Sequence, residues 1–269
     1  MSKHSPSRRG FAAQHPEKRP AGKQPAFLSP SRSGEVWLYG CHPVTAALKN
    51  PDRKLLKLMA TKETAAELAD ILPESVAVQT VTRADLDAVL PKGSVHQGIA
   101  ALFTPLPDKD ISEIDFPDNA VVIILDQVTD PHNVGAIMRS AAAFNASAVV
   151  ITDRNAPEAT GTLAKSASGC LELIPLITVS NLTRAIKSLK DAGFWCVGMD
   201  GRAKQSLREA DLPPKIALIM GSEGFGLRRL TAENCDYTVS LPISERVESL
   251  NVSNAAAIAL YELSLRPIR

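Results

Sequence analysis

Residues 216–263, IALIMGSEGFGLRRLTAENCDYTVSLPISERVESLNVSNAAAIALYEL, decide the fold. The apolar run 216–220 reads as a strand, and Gly221, Gly224 and Gly226 make 221–226 a loop. A short helix follows, then a strand over 237–241, a loop, and a helix over 252–265. Such alternation builds a mostly parallel sheet with helices on both faces. Ser253 or Asn254 is the expected cap of the last helix, which is rich in small residues. Capping uses one polar side chain, yet the stretch offers Ser249, Asn251, Ser253 and Asn254. The surplus points to a polar site at a helix mouth, facing a Gly-rich loop that lets backbone or ligand come close.

The same grammar holds upstream. VVIILD (121–126) is a continuous apolar run, as expected of a strand buried on both faces. The loop QVTDPHN follows, with Asn133 as expected N-cap of a helix over 134–144. Val134, Ile137, Met138, Ala141 and Ala142 share one face of that helix. AVVIT (148–152) is a strand, 153–169 is small, polar and partly helical, and LELIPLI (171–177) reads as a strand. Asn181 caps a helix over 182–191, Gly193 ends it, and FWCVGM (194–199) is a strand holding Cys196 as a buried thiol. Residues 35–104 read as a smaller α/β unit: strands at VWLYG, 54–61, 76–81 and 96–104, and helices after Gly40, over 62–72 and over 82–90. Thr82 and Asp85 match a capping box in the last of these. The stretch 105–119 carries three prolines and five acids and reads as a linker, so 120–269 is a second unit.

Composition bounds the function. The chain has 269 residues, 45% of them apolar, and a net charge of +1. That balance hides an asymmetry: residues 1–34 hold seven Lys or Arg against one acid, giving +6, so the remainder is −5. A basic, Pro- and Ser-rich segment of this kind is expected to be a disordered tail. It suits a polyanion partner, or is simply a solvated tail. The N-terminus lacks the apolar core of a signal peptide, and no apolar run reaches membrane-spanning length, so a cytoplasmic protein without a membrane partner is expected. Cys41, Cys170, Cys196 and Cys235 form no CxxC pair, which argues against a zinc site or a disulfide framework. GSEGFG (221–226) lacks the order of a dinucleotide-binding loop and lies too late in the chain for one.

Three blocks, LDQVTDPHNVGAIMRSAAAFNASAVVI (125–151), LIMGSEGFGLRR (218–229) and LPISERVESLNVSNAAAIALYE (241–262), together resemble the SpoU/TrmH family of RNA ribose 2′-O-methyltransferases. YGCHPVTAAL (39–48) and VHQGIAA (95–101) resemble, more weakly, the small substrate-binding domain of the 23S rRNA guanosine enzymes in that family. The resemblance implies a SPOUT fold, an α/β domain threaded as a trefoil knot. It further implies S-adenosylmethionine as cofactor, bound through Gly221, Leu241 and Leu250, and a homodimer with its active site near the interface. It assigns catalysis to Arg139, assisted by Asn133, Glu223, Ser249 and Asn251, with no metal.

The implied reaction is attack of a ribose 2′-OH on a sulfonium methyl group. A guanidinium holds its proton above about pH 12, so Arg139 suits a phosphate clamp that stabilises a developing alkoxide better than a base. The substrate implied is a guanosine of 23S rRNA. Alternatives are tRNA, a resistance-type rRNA adenosine, or an inactive knot serving as an RNA-binding assembly protein. Residues 35–104 are expected to select the RNA. Lys49, Arg53, Lys54 and Lys57 are its candidate phosphate grips, unless they are only a solvated surface.

Overall fold

The computed structural model describes residues 34–71, 76–153, 161–222, 224 and 226–266. The basic tail and Glu223 lie outside these residues. The chain builds two sheets. The first has four strands: β1 (Val36–Tyr39), β2 (Leu55–Ala60), β3 (Val78–Thr80) and β4 (Ile99–Phe103), in the order β1-β4-β2-β3. It is mixed, with β4 antiparallel to both neighbours and β2 parallel to β3. Helices α1 (Cys41–Lys49), α2 (Lys62–Glu67) and α3 (Arg83–Val89) connect it. The Thr82–Asp85 capping box is formed, whereas α2 ends well before the expected residue 72.

The second sheet carries β5 (Val121–Leu125), β6 (Ala148–Thr152), β7 (Leu176–Val179), β8 (Trp195–Met199), β9 (Ile216–Met220) and β10 (Tyr237–Val239). All are parallel, in the order β10-β8-β9-β5-β6-β7. The helices are α4 (Pro131–Ala143), α5 (Gly161–Ala167), α6 (Leu182–Asp191), α7 (Arg229–Glu233) and α8 (Val252–Ser264). Alternation along β5 explains why its run is wholly apolar: Ile123 and Leu125 enter a core with α4, α5 and α8, and Val122 and Ile124 enter one with α6. Cys196, fully buried in β8, has its thiol pushed up to about 12 by burial.

Four local expectations are corrected. LELIPLI is not one strand: Cys170–Glu172 forms a 3-10 turn, and β7 starts only at Leu176, after Pro175. The cap of α4 is Asp130, not Asn133; Pro131, lacking an N–H and fixed in φ, takes the first helical position. The cap of α8 is Asn251, whose Oδ1 accepts from the N–H groups of Ser253 and Asn254, so the expected caps are donors. The stretch 105–119 is not an open linker. Asp110 caps a 3-10 turn over Ile111–Glu113, Ile111 is buried, and Phe116 packs edge-on against Phe194 at 5.0 Å.

The two sheets share one core. Leu38, Val44 and Ala47 of the first unit belong to the same apolar cluster as Leu163, Ala167 and Leu171 of the second. A Cβ on Gly161 would stand 2.5 Å from the Trp37 carbonyl oxygen, so α5 sits directly on β1. The seam also holds a buried ion pair. Arg53 Nη2 lies 2.8 Å from Glu172 Oε1, both side chains being 4% exposed, and Asn50 donates to Glu172 Oε2 at 2.7 Å. Arg53 is therefore a seam residue and not the phosphate grip expected of it; Lys49, Lys54 and Lys57 are exposed.

Candidate functional site

In a parallel sheet, every strand's carboxyl end falls on one edge, and ligands bind there. At that edge β9 runs into Gly221, β10 leads through Ser240 to Leu241, and β5 leads through Asp126 to α4. Leu250 and Asn251 open α8. The sheet order sets β9 beside β5 and β8, and β10 beside β8. Segments distant in sequence thus converge.

A side-chain bond ties the converging segments together. Asn251 Nδ2 donates to Asn133 Oδ1 at 3.0 Å, across 118 residues. Displacement of the α4 cap to Asp130 is what frees Asn133 for this contact. Asn251 serves twice, because its Oδ1 caps α8 and also accepts from Ser253 Oγ at 2.6 Å. The positive ends of α4 and α8 therefore meet at one point, which favours an anionic group.

The glycine loop needs its first glycine for a steric reason. A Cβ on Gly221 would stand 2.2 Å from the carbonyl carbon of Gly226. Ser222 and Gly226 exchange backbone hydrogen bonds at 3.1 and 3.0 Å, closing the loop on itself. Asp126 anchors its exit. This fully buried carboxylate accepts from Arg228 Nε at 2.5 Å and from Arg228 N at 3.2 Å. Sequence reasoning missed Asp126. Its signal was an acid ending a run otherwise apolar, VVIILD, where a carboxylate needs a partner.

The sequence-predicted residues divide as follows. Asn133 and Asn251 are brought together. Ser249 is exposed, two residues before the α8 cap. Arg139 is exposed on α4, six residues beyond Asn133; helix geometry puts it about 9 Å further along the axis and about 120° round it. It faces the neighbourhood of Cys170, where burial raises the thiol pKa and Arg139 opposes that rise. Leu241 and Leu250 are half-buried, and among the described residues their backbone N–H and C=O groups take no hydrogen bond. That arrangement fits S-adenosylmethionine: apolar walls for adenine and methylene groups, and unpaired backbone groups for its polar edges.

Cavity size does not locate this edge. Two concavities, of about 410 and 590 Å³, lie instead along the seam between the units. Arg53 and Glu172 border the first, Cys41 and Lys49 the second. Neither is lined by the ends of β5, β9 and β10 or by the start of α8, the segments that meet at the Asn133–Asn251 pair. Among the described residues, no three His, Cys, Asp or Glu form a group that could hold a metal ion, and no helix is long and apolar enough to cross a membrane.

Comparison with known proteins matches residues 120–261 to the SpoU rRNA Methylase family and residues 37–108 to the RNA 2′-O ribose methyltransferase substrate binding family. A protein of Haemophilus ducreyi named 23S rRNA (guanosine-2′-O-)-methyltransferase RlmB is 40% identical over 238 residues, 84% of this chain and 96% of its own. The protein of that name from Vibrio vulnificus is also 40% identical, over 84% of this chain and 95% of its own. Among solved structures, the SpoU methyltransferase AviRb of Streptomyces viridochromogenes in complex with AdoMet has a TM-score of 0.74 at 25% identity, covering 87% of this chain and 91% of its own.

Proposed function

This chain belongs to the SpoU rRNA methylase family, and from that premise we propose that it methylates the ribose 2′-OH of a guanosine in 23S rRNA, with S-adenosylmethionine as donor. The observation that carries the substrate is the 40% identity to 23S rRNA guanosine enzymes across nearly their whole length, both units included. A cytoplasmic location is part of this proposal, in keeping with a ribosomal RNA substrate.

The donor supplies an electrophilic methyl group when bound. The remaining tasks fall to the chain. Leu241 and Leu250 would hold the donor with apolar surface, and the loop from Gly221 would offer it backbone donors and acceptors. Asn133 and Asn251 fix each other at 3.0 Å, so the ribose meets a rigid pair of amides, and Ser249 stands at their rim. Glu223 completes this set in our reading. Arg139 carries a permanent positive charge and donates to the target phosphate, stabilising the oxygen as its proton leaves to solvent.

We further propose a homodimer. Ile258 and Tyr261 on α8 and Leu265 at its C-cap are 43%, 50% and 58% exposed, a stripe spaced at i, i+3 and i+7 beside α4. A second copy covering this stripe would lie next to the helix that carries Arg139. The trefoil knot is also part of this reading, supported by the match to the SpoU rRNA Methylase family.

The test is methyl transfer from labelled S-adenosylmethionine to in vitro transcribed 23S rRNA, with the 2′-O-methyl position mapped and compared in rRNA from a deletion strain. A single guanosine modified in vitro and unmodified in the deletion strain is the expected result. Modification of tRNA or of an adenosine instead, or RNA binding without transfer, would replace this reading.

A further inference from the structure

Within the proposed function, we infer that Gln97 and Lys165 form an RNA contact at the seam between the units, Lys165 taking a backbone phosphate of the strand that leads to the target ribose. Four observations converge on it.

Gln97 is a non-glycine residue at φ +54°, a left-handed conformation that costs free energy. The neighbourhood over-determines it. Gly98 N donates to buried His96 Nδ1 at 3.0 Å, Thr64 Oγ1 donates to the Gln97 carbonyl oxygen at 3.2 Å, and Thr61 N donates to the Gly98 carbonyl oxygen at 2.8 Å. A strained backbone held by buried side chains presents an exposed amide, which is the arrangement of a positioned functional group.

That amide reaches the other unit. Lys165 Nζ of α5 donates to Gln97 Oε1 at 2.5 Å, and Cys41 N at the start of α1 donates to the same oxygen at 3.3 Å. The space is cleared for the lysine: a Cβ on Gly40 would stand 2.3 Å from its Nζ. Gly40 and Gln97 come from the two segments of the first unit that resemble substrate-binding domains.

Among the described residues no carboxylate pairs with Lys165, and its contact is a neutral amide. Burial pushes its pKa down from the usual lysine value, with Cys41 acting the other way. A half-buried ammonium, held still and not neutralised, is a ready receptor for one phosphate.

The position is continuous with the reaction edge. Ser166, the next residue of α5, bonds His132 Nδ1 through its Oγ at 3.0 Å, and His132 precedes Asn133. A strand laid from the Asn133–Asn251 pair towards the first unit crosses His132, Ser166, Lys165 and Gln97 in turn.

The experiment uses the full-length chain, S-adenosylmethionine and in vitro transcribed 23S rRNA, with KM for RNA measured across a salt series. Lys165→Met is expected to raise that KM about tenfold and lower the slope of log KM against log salt by about one phosphate's worth. Turnover at saturating RNA should fall less than threefold. Lys165→Arg should restore the salt slope, and Gln97→Ala should raise KM while leaving the slope in place. An unchanged KM and slope in folded Lys165→Met would overturn the inference and leave the pair as a strut between units. So would a lowered melting temperature with no change of slope. If Lys165→Met does not fold, Lys165→Gln is read by the same criteria. If the wild-type chain transfers no methyl group to 23S rRNA, it is the proposed function that fails; filter binding of the same RNA by wild type and Lys165→Met then reads the contact alone.

Discussion

At the scale of single residues, the pairing of Asn133 with Asn251 separates two kinds of polar group at the reaction edge. The two amides are fixed to each other and to a helix start; Arg139 stands clear of them on the exposed side of α4. On the proposed reading the donor is held at the loop that begins at Gly221, whereas Arg139 is carried by α4. We therefore expect Arg139→Ala to lower single-turnover methyl transfer by about 100-fold or more, the scale of a lost transition-state donor, with S-adenosylmethionine affinity by calorimetry unchanged. Loss of donor binding in the folded variant would move Arg139 into the cofactor site. Asp126 makes the opposite case. Its carboxylate is buried and holds Arg228 at the exit of the glycine loop. Asp126→Asn removes the charge that makes those bonds strong, at a cost of about 2 kcal/mol in urea unfolding, and should loosen the loop enough to weaken donor affinity. Retained affinity would show that the loop holds its shape without the anchor.

Between elements, the seam decides. Arg53 and Glu172 are each 4% exposed and lie on opposite sides of it. Arg53→Ala strands a buried carboxylate, with an expected loss of about 3–5 kcal/mol in urea unfolding, whereas Arg53→Met with Glu172→Met should recover most of it. A double variant as unstable as the single one would refute this account. None of this was legible in the sequence. Periodicity located the ten strands of the described residues closely except β7, because apolar runs report burial directly. It could not distinguish a strand from a 3-10 turn in LELIPLI, where the apolar residues 171, 173 and 174 serve either geometry. It placed both caps of the site too late in the chain, α4's at Asn133 instead of Asp130 and α8's at Ser253 or Asn254 instead of Asn251, since DPHN and SLNVSN each offer several side chains able to cap, and only the tertiary partner selects among them. It read Arg53 as a surface cation because its partner lies 119 residues away. The resemblance supplied the site residues; the sequence's own polar surplus pointed to the helix mouth but not to Asp126.

For the whole molecule, the question is how separable the chemistry is from RNA selection. The proposed reaction edge is built from the parallel sheet and its helices, all after residue 119. That favours a chain beginning at Asp118 that still binds S-adenosylmethionine. The shared core works against it. Leu163, Ala164, Ala167 and Leu171 are at most 5% exposed, in the apolar cluster that also holds Leu38, Val44 and Ala47. Their exposure would cost about 25 cal/mol for each Å² of apolar surface returned to water. Residues 105–117 would go as well, and with them Ile111 and the Phe116 ring on Phe194. The sheet itself keeps its remaining covering helices, so the truncated chain should fold with a melting temperature lowered by several degrees and bind the donor within a few-fold of the full chain. It should methylate 23S rRNA poorly, having lost Gln97 and the exposed lysines of the first unit. Modification of the same guanosine at the full-length rate would show that residues 35–104 do not select the RNA. Failure to fold would show that the two units are one cooperative body, with the apolar contact across β1 and α5 as its central part.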